Sequence, residues 1–130
     1  MHLNVVETNY VGEDHSWLGS AHALDTAETI TLDLAAFDAD QYPDGFIPSG
    51  FSLGVITASG KFGAYDPPET DGRETNVGHL AFSVQVGSAT TGDFLGAMIR
   101  HGIIIEANLP ANDDLDANGK TDVAGQLIYR

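Results

Sequence analysis

The sequence predicts a small, mainly β domain with one or two short helices. Three observations point to this class: the apolar runs are short, several alternate with polar residues, and glycine, proline and Asp-Gly pairs separate them. The chain has 130 residues, 15 of them glycine and 5 proline, and it has no cysteine. A domain of this length buries roughly two-thirds of its unfolded surface. We therefore expect a modest core without disulfides, supplemented by contacts between copies of the chain.

Residues 1–28 differ in character from the rest and are predicted to form an N-terminal arm, followed by a β-rich domain over residues 29–130. The apolar residues of this region include Val5, Val6, Tyr10, Val11, Trp17 and Leu18. Their spacing follows neither a two-residue nor a 3.6-residue period, as is typical of an extended arm that gains order on another surface. The alternative is that Trp17 fills the core of the domain itself.

The first strand is predicted at Thr29–Leu34, where Ile30, Leu32 and Leu34 alternate with polar residues. Residues 38–48 are a loop, because they contain an Asp-Gly pair and two prolines. Two further runs, Leu53–Thr57 and Lys61–Tyr65, are joined by Ala-Ser-Gly, which indicates a β-hairpin. Two prolines at 67 and 68 end the second run, since proline donates no ladder hydrogen bond.

The later strands are predicted from longer apolar runs. Val77–Val86 alternates throughout, with Leu80, Phe82, Val84 and Val86 on one face and His79, Ala81, Ser83 and Gln85 on the other. Phe94–Ile99 and Gly102–Ala107 are expected to pair around Arg100 and His101, and the three isoleucines at 103–105 suit a strand buried on both faces. A helical turn is expected near Asp122–Leu127 and a last strand over Leu127–Tyr129.

The charge balance is strongly acidic and argues against nucleic-acid binding. Nineteen Asp and Glu stand against five Lys and Arg, giving a net charge of −14, and residues 1–60 contain no Lys or Arg. Such a surface repels phosphate and anionic lipid. No run approaches the roughly 18 apolar residues of a membrane span, and the first residues do not resemble a secretory signal. We expect a protein made in the cytoplasm, with no nucleic-acid or membrane partner.

No motif in the sequence predicts an enzyme. Gly50-Phe51-Ser52-Leu53-Gly54 matches the G-x-S-x-G nucleophile elbow, but that motif requires a strand-to-helix turn in a large sheet, and a β-like run follows here. The five histidines lack the spacing of metal ligands, and each is expected to be a surface or hydrogen-bonding residue. A small hydrolase using Ser52 is therefore disfavoured, and no cofactor is expected.

A calcium loop is the strongest competing motif. Asp114, Asp116, Asn118 and Asp122 occupy relative positions 1, 3, 5 and 9 of an EF-hand loop, with Gly119 at position 6. Position 12 is Gly125, so the bidentate carboxylate is missing, and an exposed acidic turn explains the same residues. A calcium-binding β-domain for adhesion or recognition is the alternative function that this motif leaves open.

The order of short motifs between residues 49 and 110 resembles a known family. The segment reads VITASGKF, then YDPP, TDGR, VGHLAF and finally AMIRHGIIIEA. This order resembles the head decoration proteins of tailed phages, typified by the lambda head protein D. The resemblance covers roughly half the chain and rests on the succession of several motifs.

The resemblance implies a structural virion protein and not an enzyme. Members of this family are small β-rich proteins that bind as homotrimers on the outer surface of the phage head, at local three-fold positions. There they contact the major capsid protein and stabilise the expanded shell. By analogy, the arm would contact the capsid through Val5, Val6, Tyr10, Trp17 and Leu18, although no motif of the family matches the N-terminal sequence.

Overall fold

The structure, a computed structural model, describes residues 14–130, and these residues form a mainly β domain, as predicted. The strands in this part of the chain are β1 Glu28–Asp33, β2 Phe46–Ile47, β3 Ser52–Val55, β4 Phe62–Ala64, β5 Gly78–Leu80, β6 Val84–Gln85, β7 Asp93–Ile99, β8 Gly102–Ile104 and β9 Leu127–Tyr129. The helical elements are α1 Ala117–Asp122 and the 3-10 helices Ala21–Thr26, Leu34–Ala36, Ala39–Gln41 and Glu106–Asn108.

Five strands close into a barrel in the order β1-β4-β3-β5-β7. Strand β1 pairs antiparallel with β7 along its whole length and meets β4 in parallel at Leu32 and Phe62. Ile30 and Leu32 point into the barrel and are buried, which confirms the alternation predicted for this strand. The ring of strand pairings is closed, with β1 and β4 joined at one residue pair and β5 and β7 at two.

The predicted hairpin is confirmed. Strands β3 and β4 are antiparallel, with Leu53 opposite Ala64 and Val55 opposite Phe62. The turn contains Gly60 at φ +77°, a left-handed conformation that glycine adopts without steric cost.

The prediction of one continuous strand over Val77–Val86 is wrong. Strand β5 belongs to the barrel, whereas β6 pairs with β2 in a separate two-stranded sheet. The chain bends between them, so that Ala81 is buried and Phe82 is 40% exposed. His79, predicted on a polar face, is completely buried. The alternation of residue types is local, but the change of sheet is imposed by partners distant in the sequence.

The predicted pairing of Phe94–Ile99 with Gly102–Ala107 is also wrong. Strand β7 lies in the barrel, and β8 pairs in parallel with β9, so that Ile103 faces Ile128. Gly102 at φ +132° redirects the chain between β7 and β8. Of the three consecutive isoleucines only Ile104 is buried. The last strand at Leu127–Tyr129 is confirmed, and the helix lies before its predicted position.

Most of the buried apolar residues in the described part of the chain form two clusters. The barrel core consists of Ile30, Leu32, Leu34, Phe37, Tyr42, Ile47, Phe51, Leu53, Ala64, Leu80, Val84, Val86 and Met98. The outer cluster lies outside the barrel and consists of Trp17, Ala23, Ala81, Ile99, Ile104, Val123 and Leu127. None of the helices in the described part of the chain is both long and apolar enough to cross a lipid bilayer.

Candidate functional site

Trp17, predicted as a capsid-contacting residue, is a core residue of the domain. Its side chain is 1% exposed and belongs to the outer cluster. The indole Nε1 donates a hydrogen bond of 3.1 Å to Ser49 Oγ, which in turn donates to the carbonyl of Asp14 at 2.8 Å. The indole is therefore unavailable as an external anchor, and the alternative interpretation of Trp17 as a core residue is the one that the structure supports.

The boundary of the predicted arm needs the same correction. Leu18 is half-buried and forms an antiparallel bridge with Ile104. The Ile105 amide donates to the carbonyl of Trp17 at 2.6 Å, and the Gly19 amide donates to the carbonyl of Ile103. Residues 14–28 therefore pack on the domain instead of forming a separate arm. The other predicted contacts, Val5, Val6 and Tyr10, lie outside the described residues.

Ser52, His79 and Asp113 lie near one another but do not form a nucleophilic triad. Ser52 lies directly opposite His79 across β3 and β5. However, Ser52 Oγ donates to Asp113 Oδ2 at 2.8 Å, whereas His79 bonds to other groups. Ser52 is fully buried, and a nucleophile needs a base that accepts its proton and a path for substrate. This arrangement disfavours the hydrolase interpretation of the G-x-S-x-G motif.

His79 lies in a row of hydrogen bonds between the barrel and the outer cluster. Its Nδ1 is 2.7 Å from the carbonyl of Gly50, which can only accept, so we assign the proton to Nδ1. Its Nε2 then accepts from the Tyr129 hydroxyl at 2.7 Å. Burial lowers the pKa of His79 to about 4, and the hydrogen bond to Gly50 opposes this shift. The ring is therefore neutral at pH 7.

Asn76 completes this row, which we call the polar seam (Asn76, His79 and Tyr129). Its Nδ2 donates to the carbonyl of Gly119 at 3.0 Å, and the Tyr129 hydroxyl lies 3.4 Å from the same atom. Its backbone amide donates to Asp122 Oδ2. The seam was missed at the sequence level because Tyr129 lies 50 residues beyond His79 in the chain and no local pattern relates the two.

Asp113 is the most perturbed acid in the described residues. Its Oδ2 accepts from the backbone amide and the hydroxyl of Ser52, whereas its Oδ1 is buried and has no hydrogen-bond partner. Burial raises the pKa of Asp113 to about 7; the hydrogen bonds from Ser52 lower it and the charge of Asp114 adds to the rise. Asp113 was not singled out from the sequence, since it stands among many other acids.

The four candidate calcium ligands do not converge on one site. Asp116 caps α1 by accepting from the Gly119 amide at 2.8 Å, and it also accepts from the Tyr65 hydroxyl at 2.6 Å, a bond that lowers the pKa of its carboxyl. Asp122 accepts from the Asn76 amide instead of turning toward Asp114. The described residues contain no group of three or more His, Cys, Asp or Glu positioned to hold a metal ion. Asp116 thus begins a helix, and the calcium-loop alternative lacks the geometry that it requires.

A groove lies around Pro110 on the surface of the described residues. Two adjoining cavities, of about 280 Å³ and about 220 Å³, share Phe46, Pro48 and Pro110. We call this surface the Pro110 groove. One wall is the loop around β2 and the other is the segment that follows the 3-10 helix Glu106–Asn108. The sequence indicated both walls only as proline-containing loops, so their juxtaposition could not be predicted.

Exposed apolar side chains are scattered over the rest of the described surface. Phe82 is 40%, Leu95 73% and Ile128 51% exposed, and each lies on a different strand or loop. Single exposed apolar residues are common in soluble domains and do not define a site.

No protein-family model matches this chain, and no curated protein matches it significantly.

Proposed function

We propose that this chain is a structural virion protein that decorates the outside of a tailed-phage head. In this proposal it binds as a homotrimer at local three-fold positions, contacts the major capsid protein and stabilises the expanded shell. The observation that carries the proposal is the order of motifs between residues 49 and 110, which resembles the head decoration family. In the structure this segment supplies four of the five barrel strands.

The interior of the domain supports a structural role over catalysis. Ser52, His79 and Asp113 are engaged in hydrogen bonds that join parts of the domain. The net charge of −14 also suits a protein on the outer face of a shell, because the encapsidated DNA would repel it. Acidity by itself is also compatible with a role in solubility alone.

The proposed stabilisation has a simple thermodynamic basis. A ligand that binds the expanded lattice but not its precursor or its separated subunits stabilises the lattice by mass action. A trimer adds avidity, because its second and third contacts form intramolecularly once the first has formed. Each contact can therefore be weak while the occupancy of the shell is high.

The direct test adds the purified protein to expanded heads that lack it, from the phage that encodes this chain. We expect density at the local three-fold positions of the outer surface by electron cryomicroscopy, together with a rise in the temperature at which the heads lose DNA. Unexpanded precursor shells are the control and should remain undecorated. Bare three-fold positions, or density on the inner surface, would overturn the proposal.

A second experiment addresses the trimer and residues 1–13. Light scattering measures the mass in solution, and density on the heads shows the stoichiometry when bound. Deletion of residues 1–13 leaves Asp14 and Trp17 in place, so the folded domain should persist while head binding is lost. Full decoration by the truncated protein would show that capsid contact does not depend on this segment.

A further inference from the structure

The Pro110 groove has the chemistry of a docking surface for an extended peptide. Its shared lining residues, Phe46, Pro48 and Pro110, are half-buried, and each presents apolar atoms to the groove. Leu109 extends one side of this lining and Pro43 the other. A groove of about 280 Å³ and 220 Å³ in two adjoining parts accommodates one or two apolar side chains.

The walls of the groove are held in place by hydrogen bonds between segments far apart in the sequence. Asn108 Nδ2 donates to the carbonyl of Ser16 at 3.0 Å. Asn112 Nδ2 donates to the carbonyl of Asp40 on the opposite wall. A groove that is already formed loses little conformational entropy when a ligand binds.

The polar groups of the groove favour a cationic ligand. Asp14 lines one of its two parts and Asp44 the other. The ion pairs of the described residues do not involve the acids that line the groove. These pairs are Lys61–Asp93, Arg73–Asp71, Arg73–Glu69, Arg100–Glu28 and Lys120–Glu106. Prolines also contribute no N–H donors, so the surface is rich in acceptors.

We propose that the Pro110 groove docks an extended segment of a partner protein in which one apolar anchor is flanked by Lys or Arg. This inference rests on the proposed function for the identity of the partner, which would be the major capsid protein. The apolar anchor would pack between Phe46 and Pro110, and the cationic side chains would pair with Asp44 and Asp14. Charge pairing at the rim is expected to set the rate of association and its salt dependence. The buried apolar anchor is expected to set how long the peptide stays bound.

The test uses two peptide probes and the full chain. The first is a set of overlapping peptides of about twelve residues that covers the major capsid protein encoded with this chain; the second is a random peptide library of the same length. Binding is followed by the fluorescence anisotropy of dye-labelled peptides. We expect the bound peptides to be enriched in Lys or Arg beside an apolar residue, and binding to weaken as salt rises.

Matched variants locate the binding surface. Phe46→Ala should weaken peptide binding about tenfold or more, as truncation of a buried anchor contact typically does. Asp44→Lys should weaken it severalfold and reduce its salt dependence. The controls are Leu95→Ala, which truncates an apolar residue that is 73% exposed, and Glu74→Lys, which reverses an exposed charge outside the groove. Circular dichroism checks that each variant is folded.

Several outcomes would overturn the proposal. Unchanged binding in both folded groove variants, or selection of uncharged or acidic peptides, would contradict it. Stronger binding of a peptide copy of residues 1–13 than of any other probe would instead assign the groove to the chain's own N-terminal segment.

If Phe46→Ala and Asp44→Lys still decorate heads at full occupancy, this inference fails while the proposed function stands. If the wild-type protein leaves heads bare but selects basic peptides, the proposed function fails and the docking surface stands.

Discussion

The barrel core and the outer cluster are stabilised in different ways. The barrel core combines apolar side chains of the paired barrel strands with others from β2, β6 and the adjoining loops and 3-10 helices. The outer cluster is smaller, and it draws on both ends of the described chain, with Trp17 near the first and Leu127 near the last residue. It meets the barrel across the polar seam. The barrel therefore depends mainly on burial, and the outer cluster on burial combined with buried hydrogen bonds.

A binding surface forms more readily in the loops around such a barrel than on its strands. A closed barrel tolerates variation in its loops, because its strands are satisfied by one another. The Pro110 groove lies where the loop around β2 meets the segment that leads into α1, beside the outer cluster. The candidate docking surface thus lies in the part of the molecule that long-range contacts hold together.

The largest effect is expected from Trp17→Ala, which tests whether the outer cluster is part of the cooperative fold. Removing this buried indole leaves a cavity and loses the hydrogen bond to Ser49, so the free energy of unfolding should fall by about 3–5 kcal/mol. Urea denaturation followed by circular dichroism measures the change. We expect one transition, since the seam joins the outer cluster to the barrel.

Two controls sharpen this prediction. Trp17→Phe keeps an aromatic ring and should cost less than Trp17→Ala, while Leu95→Ala should cost under about 1 kcal/mol because Leu95 is 73% exposed. If Trp17→Ala leaves stability unchanged and abolishes head binding, Trp17 is a capsid-contacting residue after all. Two separate unfolding transitions would show that the barrel folds without the outer cluster.

The sequence predicted those parts of the fold that local pattern determines. The alternation of Ile30 and Leu32 predicted β1, and the Ala-Ser-Gly turn predicted the hairpin of β3 and β4. It could not predict that the run around Phe82 bends, because the bend depends on β5 and β6 joining different sheets. For the same reason the parallel pairing of β8 with β9 was missed.

The candidate site was predicted less well than the fold. A tryptophan in an aperiodic region is compatible with either an arm or a core, and only its contacts with Ser49 and the outer cluster decide between them. His79 stands on a strand pattern that suggests exposure, yet Gly50 and Tyr129 satisfy both of its ring nitrogens. A polar side chain can be buried when hydrogen bonds satisfy it. Here the partners are distant in the sequence, so the local pattern does not reveal them.

Asp113→Asn is expected to change the pH dependence of stability. Because the pKa of Asp113 is raised to about 7, the folded protein binds a proton there that the unfolded protein releases at a lower pH. The contribution of Asp113 to stability is therefore present below about pH 4 and is lost as pH rises to about 7, by up to about 4 kcal/mol. Asparagine stays neutral and can still accept from Ser52, so its advantage over the wild type should grow across this range.

The measurement is the free energy of unfolding at several pH values for both proteins. Glu74→Gln, which neutralises an exposed acid, serves as the control and should follow the wild type. An NMR titration of the Asp113 carboxyl carbon tests the cause directly. A midpoint near the ordinary aspartate value, or parallel pH profiles for the wild type and Asp113→Asn, would contradict this account of the buried Oδ1.

His79 should give a smaller pH effect of opposite sign. Its pKa is lowered to about 4 by burial, so the unfolded protein binds more protons between pH 6.5 and 4. Stability should fall as pH drops through this range, by about 3 kcal/mol. The Asp113 effect acts in the reverse direction over the same range. The pH dependence of the free energy of unfolding is therefore compared between the Asp113→Asn protein and the double variant that also carries His79→Gln.

The expected observation is a shallower acid limb in the His79→Gln protein, even though this variant is itself less stable. An NMR titration of the ring protons provides the direct check. If His79 titrates near 6.5 in the folded protein, the ring is solvated and the polar seam is not dry. The outer cluster would then be attached to the barrel through water, and the contrast between the two regions would be smaller than the geometry indicates.

The smallest effect is expected from Arg100→Ala, at the junction of the two regions. Arg100 follows β7, and its guanidinium contacts both carboxylate oxygens of Glu28 at the start of β1. Both side chains are more than 40% exposed, so solvent screens the pair and its loss should cost under about 1 kcal/mol. Lys61→Ala, which breaks the exposed pair with Asp93 on the barrel, is the control and should leave the urea midpoint almost unchanged. A loss of 2 kcal/mol or more for Arg100 alone, persisting at high salt, would mean that a surface ion pair helps to join the outer cluster to the barrel. In that case the junction would depend on charge as well as on the buried hydrogen bonds of the seam.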